Sequence, residues 1–481
     1  MKFLSTILVA LGLIFSTAWA VTTHDLPDIG DSAGSVVSPE YEQRLGQAVM
    51  RQVRQYANMI QDPEVESYIL SIGYQLAANS DNNQIPFIFF IMNDPVINAF
   101  AAPGGVVGVN SGVILNSETE SELAGVMAHE IAHVTQRHMA RTFEKANQFS
   151  LPMMAAMIGA IALGIANPEA GQAALAITMG ASAQYQINFT RANEEEADRV
   201  GMQLLARSGF DPRGMPAFFE HLQQITRYSG GNAPEFLRSH PLTESRIADS
   251  RARADQYPPG KYQSSISFKL IRAKLLVMAQ DRPNEAVKLF EQQLSSDDYP
   301  DKTSARYGYV LALTAAENFL KAREQLHILL NDEPENIAYL LAAARLESAQ
   351  RNFPAAAGIY REAHRLYPDY RPLVLGYARA LLDARESLVA RNLLRRYGQY
   401  HEPDLAYYDL LSQAEAETGS PAESGIAKAE YYYLSGDTKL AIDRLKFAQL
   451  QTELNYYQQE RISARLAQLE YELELEKELQ L

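Results

Sequence analysis

The sequence predicts a mainly α-helical chain in two parts: an α+β domain around a small β-sheet, then a solenoid of paired helices. Three observations predict this. Apolar residues recur at helical spacing over most of the chain. One compact region, from Ile85 to Leu115, is strand-like. From about residue 265, alanines and prolines return at a fixed interval, the mark of a repeat architecture. A chain of 481 residues also exceeds what one ordinary core organises, so two or three domains are expected.

The first twenty residues read as a secretory signal. Lys2 supplies the positive start, Phe3 to Phe15 a short apolar run, and Ala18-Trp19-Ala20 a small-x-small cleavage site. The alternative is an uncleaved anchor, but the run is short for a span and turns polar at once with Thr22, Thr23, His24 and Asp25. The sequence has no cysteine, which excludes a lipid-modified N-terminus and disulfide staples alike. Trp19 is the sole tryptophan, so cleavage after Ala20 predicts a mature protein without tryptophan fluorescence. The net charge is −15, one unit more negative once Lys2 is gone, which argues against nonspecific nucleic-acid binding. Residues 21–38 are rich in Asp, Gly, Ser and Thr and read as a flexible leader.

From Pro39 to about Asn79 the spacing is helical, with Leu45, Val49, Val53, Val65, Ile69, Ile72 and Leu76 on one side. Ile85–Met92 reads as a buried strand ended by Asn93-Asp94-Pro95. Asn98–Ala102 and Val106–Leu115 read as two more strands, joined at Pro103-Gly104-Gly105. Ser117 and Glu120 form a capping box that starts a helix expected to run to about Glu144.

Residues 149–187 are rich in Ala, Met and Gly and almost uncharged. Three readings fit: a buried hairpin covering a site, a surface that touches lipid or an apolar client, or a membrane span weakened by Pro152, Gly159 and Gly164. Further on, Ala322, Ala356 and Ala390 are spaced by 34 residues, as are Pro334 and Pro368. Within one unit Ala356, Tyr360, Ala363 and Pro368 follow the second-helix pattern of a tetratricopeptide repeat. Ala286 with Phe290, and Ala441 with Leu445 and Ala448, mark more degenerate units. From Leu469 the chain alternates apolar residues with glutamates and reads as a solvated helix end.

His129-Glu130-Ile131-Ala132-His133 carries the chemistry. On a helix, residues four apart share a face, so two imidazoles can address one ion. Glu130 lies beside that face, placed to take a proton from an activated water, and this H-E-x-x-H spacing is that of zinc proteases. Zinc suits nitrogen and oxygen ligands and activates water near neutral pH. Gln136 and Met139 stand where a glycine and a third histidine, respectively, would be needed, so the remaining ligand lies elsewhere. Glu194 and Asp198, one turn apart on a second helix starting near Arg191, offer a ligand and a carboxylate to orient a histidine. The same acids also fit a charged first turn favoured by the helix dipole.

Together these residues resemble the M48 family of zinc peptidases: His129 to His133, then Glu194-x-x-Ala197-Asp198 about sixty residues on. Asn98-Ala99-Phe100 with Pro103-Gly104-Gly105, and Ser239-His240-Pro241 with Arg246-Ile247, match further elements of that family. The resemblance implies a zincin-like metallopeptidase domain over residues 39–262 and a tetratricopeptide-repeat domain over 263–481. It implies one zinc ion held by His129, His133 and Glu194, with Glu130 as general base and Asp198 behind the ligands. His240 is then either an oxyanion stabiliser or, as in the periplasmic subgroup, a fourth zinc ligand that keeps the enzyme latent. That subgroup further implies a periplasmic endopeptidase with a chaperone-like role, acting on misassembled outer-membrane β-barrel proteins and on the machinery that inserts them. The competing reading is a repeat-based binding module whose zinc site is structural or latent.

Overall fold

A computed structural model describes residues 38–145, 191–228 and 234–478, apart from residues 83, 298–299 and 452–453. The signal sequence, the leader up to residue 37 and the apolar stretch 149–187 lie outside the described residues. Among the described residues no helix is long and apolar enough to cross a membrane.

Two helices occupy the first segment: α1 (Pro39–Tyr56) and α2 (Pro63–Ala78). Each begins with proline at its first turn behind a side-chain cap, Ser38 for α1 and Asp62 for α2. Between them Met59 pairs with Met92, so the linker adds a short bridge to the sheet. That sheet holds β1 (Ile88–Met92), β2 (Ala99–Ala102) and β3 (Val106–Asn110) in the order β1-β3-β2. β3 runs parallel to β1 and antiparallel to β2. Phe89, Ile91, Val107 and Val109 point into the main core, while Phe90, Met92 and Val106 point to the opposite face, which α1 covers with Leu45, Val49 and Val53. Burial of both faces explains why Ile88–Met92 is continuously apolar instead of alternating.

The structure corrects the expected third strand. Ser111 and Gly112 hydrogen-bond to the Asp94 carbonyl, and the chain leaves the sheet to form α3 (Ser111–Asn116). Ser117 closes that helix through the Val113 carbonyl, so it does not cap the next one. The cap of α4 (Glu120–Thr135) is Thr119, which accepts from the Glu122 N–H while Glu122 accepts from the Glu118 N–H. The capping box therefore exists two residues later than expected. The helical run towards Glu144 is also broken. Arg137 takes a left-handed backbone (φ 50°), and α5 (His138–Lys145) sets off in a new direction.

Behind the site lie α6 (Arg191–Arg207), α7 (Gly214–Tyr228), α8 (Phe236–Ser239) and α9 (Glu244–Ala254). Next comes α10 (Ile266–Met278), whose Phe268, Ile271 and Leu275 enter the main core while Leu270 and Ala273 enter the first core of the repeats. Helix pairs then continue to Glu478. Ala322, Ala356 and Ala390 are fully buried between paired helices, which is where close approach demands a small side chain. Glu317, Arg351, Arg385 and Gly419 all take left-handed backbone angles at the same 34-residue interval, each ending the first helix of a pair. In each the next residue's N–H returns to a carbonyl five residues back, as Asn352 does to Glu347, closing the helix end.

The repeats fold back on the first domain. Arg345 pairs with Glu64, Arg371 bonds Glu66 at 2.9 Å, and Arg54 of α1 donates to the Leu434 carbonyl at 2.9 Å. Part of the face the repeats turn towards α2 is thus covered by the chain itself.

Candidate metal centre

Helix α4 places His129 and His133 one turn apart on the side that faces α6. Gly201 of α6 allows this approach, since a β-carbon there would lie 3.1 Å from the Ala128 carbonyl group and the His129 nitrogen. The close crossing brings Glu194, one helical turn before Asp198, against the two imidazoles. His240, just past the short helix α8, enters from the other side with its ring stacked on Phe236 at 4.8 Å.

Four donor atoms converge. His129 Nε2 lies 3.0 Å from His133 Nε2, 3.4 Å from His240 Nδ1 and 3.5 Å from Glu194 Oε2. Glu194 Oε1 lies 3.5 Å from His133 Nε2 and 3.1 Å from His240 Nδ1. All four residues are buried, and their donor atoms sit within 4.8 Å of one another. Zinc–nitrogen bonds of about 2.0–2.1 Å in a tetrahedron set ligand atoms about 3.3 Å apart, so these separations fit such an ion.

The surrounding charges hold the donors in place. His129 Nδ1 faces Asp198 Oδ1 at 3.0 Å. Arg246, a buried arginine of α9, donates from Nε and Nη2 to both Asp198 oxygens at 2.8 Å. Its Nη1 reaches Glu194 Oε2 at 2.9 Å and the Pro241 carbonyl at 2.8 Å. One guanidinium therefore ties together Asp198, Glu194 and the backbone beside His240. Burial opposes ionisation of Glu194, yet hydrogen bonds from His129 and His240 hold its carboxyl below the usual range. Burial likewise opposes a charge on His129, but Asp198 and Glu194 push its pKa up to about 10. Burial lowers His133, and the neighbouring His129 and His240 lower it further.

Glu130 is fully buried beside this set, with His240 Nε2 at 3.5 Å from its Oε1. Burial raises its pKa against the pull of His240 and His129, giving the carboxylate more proton affinity than an exposed glutamate. The sequence profile of Peptidase family M48 matches residues 63–254, which contain every residue just described. Over 94% of its length the chain is 40% identical to the beta-barrel assembly-enhancing protease of Escherichia coli K12, covering 92% of that protein. The chain belongs to peptidase family M48.

Within the family, a putative beta-barrel assembly-enhancing protease of Vibrio cholerae is 38% identical over 92% of both chains. A human mitochondrial metalloendopeptidase is 31% identical over 34% of this chain and 32% of its own. Among solved structures, a tetratricopeptide repeat protein from Parabacteroides merdae covers 54% of this chain and 92% of its own, at 14% identity and a TM-score of 0.32. As an M48 peptidase the protein is a metalloendopeptidase, and membership implies a catalytic metal.

The structure brings together all six residues singled out in the sequence: His129, Glu130, His133, Glu194, Asp198 and His240. Sequence reasoning gave no role to Arg246, His138 or Glu196. A buried arginine that binds two acids is a tertiary fact, and its only local sign was the Arg246-Ile247 pair behind the His-Pro element.

Proposed function

We propose that the protein is an exported, periplasmic zinc endopeptidase that degrades misassembled outer-membrane β-barrel proteins and supports the assembly of others. The observation that carries the peptidase reading is the convergence of four buried donors beside Glu130. Similarity to beta-barrel assembly-enhancing proteases across nearly the whole chain supports the rest. His129, His133 and Glu194 hold the ion, Asp198 orients His129, and Glu130 is the general base. Residues 1–20 are the signal, 39–262 the peptidase domain and 263–481 the repeat domain, which docks clients and the barrel assembly machinery.

Zinc, when bound, supplies a Lewis acid that polarises the scissile carbonyl and makes water acidic near neutral pH. Glu130 takes a proton from the attacking water and returns it to the leaving amine. An extended substrate pairs along β2, an edge strand whose Ala101 backbone faces Glu130. Arg246 holds Glu194 and Asp198 aimed at the donor set.

One observation favours a latent resting state. His240 Nδ1 lies inside the donor set instead of beside it, so it takes the position a substrate oxygen would need. On leaving that position, His240 becomes a donor to the developing oxyanion. Metal analysis of the purified mature protein should give one zinc per chain. Chelation should abolish casein and self-cleavage, and zinc should restore both. Cleavage that persists in fully metal-free protein would end the reading.

A further inference from the structure

We infer that His138 is a positioning residue for the metal centre: with Glu196 it fixes the tautomer of His133 and directs the Nε2 lone pair of His133 at the ion. The inference rests on the zinc-peptidase reading above. It starts from the break at Arg137. On an unbroken helix, five residues advance the side chain by about 140° beyond a full turn, and His138 would point away from His133. The left-handed Arg137 turns the chain so that α5 begins with His138 against α4. There His138 is fully buried, its ring centroid 4.9 Å from that of His133, with the two rings inclined at 76°.

The proton arrangement follows from the far end of the chain of contacts. His138 Nε2 lies 3.2 Å from Glu196 Oε2, and Arg141 Nη1 donates to the same oxygen at 3.0 Å. An ionised carboxylate only accepts, so Nε2 of His138 carries its hydrogen. A neutral imidazole has one N–H, which leaves Nδ1 of His138 as an acceptor. That atom lies 2.9 Å from Nδ1 of His133. His133 must therefore donate from Nδ1, and its Nε2 keeps the lone pair that faces His129 and Glu194.

The two histidines of α4 are thus oriented by different devices. Asp198 meets His129 directly, whereas Glu196 acts on His133 through an intervening imidazole. The acidic run at the start of α6 divides accordingly. Glu194 joins the donor set, exposed Glu195 pairs with Arg191 on the same helix, and Glu196 reaches across to α5.

Removing such an outer partner typically weakens metal affinity about 10–100-fold. The test measures zinc affinity by chelator competition, and the visible spectrum of the cobalt-substituted form, on the full mature chain. His138→Phe keeps the ring and removes both polar atoms; it should lose about 10–100-fold in affinity and alter the cobalt bands. His138→Asn restores an acceptor close to the place of Nδ1, although its amide nitrogen stops short of the Nε2 position, and should recover part of the lost affinity. Wild-type affinity and spectrum in a folded His138→Phe protein would overturn the proposal, as would equal losses in the Phe and Asn variants. Glu196 is partly exposed, so Glu196→Ala, which removes the acceptor for His138 Nε2, carries the test if the Phe variant does not fold. Weakened zinc binding there supports the relay, and unchanged binding overturns it. A wild-type chain that binds no zinc would instead sink the peptidase reading itself.

Discussion

Two clusters of buried charge organise this molecule, and they are built in opposite ways. At the joint between the domains, Asp62 and Glu64 of the α2 end meet Lys274 of α10 and Arg345 of the repeats. Lys274 Nζ lies 2.6 Å from Asp62 and 3.3 Å from Glu64, and Tyr307 adds a hydroxyl to Glu64 at 3.3 Å. Acid and base alternate, so each charge is answered by a neighbour. Burial disfavours the Asp62 carboxylate, yet Lys274 and Arg345 hold its pKa below the ordinary value. At the metal centre three imidazoles and a carboxylate present donor atoms to one point, and only a cation answers them together. Buried charge alone does not mark a site. The sign pattern does: alternating charges close on themselves and hold domains together, whereas convergent donors call for a ligand.

Substitutions should separate the two clusters. The largest effect is expected for Glu130→Gln, which touches chemistry alone. Peptidase turnover should fall about 10²–10⁴-fold, while zinc stoichiometry measured on the same sample stays at one per chain. At the joint, Glu64→Ala leaves buried Lys274 and partly exposed Arg345 with fewer partners and should cost about 3–5 kcal/mol in denaturant unfolding. Zinc affinity of the molecules that remain folded should not change. If it falls, the clusters are coupled and the contrast between them is wrong. Asp198→Asn should raise the zinc dissociation constant about 10–100-fold, because His129 loses its carboxylate partner. The smallest change belongs to neither cluster. Arg351→Gly relieves a left-handed residue at a helix end and should add about 0.5–1 kcal/mol to stability, read from the same unfolding curves.

How much was legible differs from one element to the next. The mainly helical architecture with its small sheet was legible, because apolar spacing and the 34-residue interval are local patterns that helix pairing imposes on the sequence. Boundaries were less so. Val113 and Ile114 look like a continuation of β3, but hydrogen bonds from Ser111 and Gly112 to Asp94, nearly twenty residues earlier, end that strand. The stop of α4 had no glycine or proline to announce it. Arg137 adopts the left-handed turn at some cost while its guanidinium reaches Glu42, far back in the chain.

By itself the sequence determined that His129 and His133 share a helical face, that Glu130 sits beside it, and that the second half pairs its helices at a regular interval. Those relations follow from the rise and twist of a single helix, which depend on nothing distant. Only the tertiary structure decided that Glu194 and His240 meet those imidazoles, that Arg246 binds two acids at once, and that Arg345 reaches Glu64 from 281 residues away. Such meetings depend on how closely helices cross, as at Gly201 over Ala128, and on where one backbone turn redirects the chain, as at Arg137. Neither is written in any short window of residues, because both are settled by packing against partners remote in sequence.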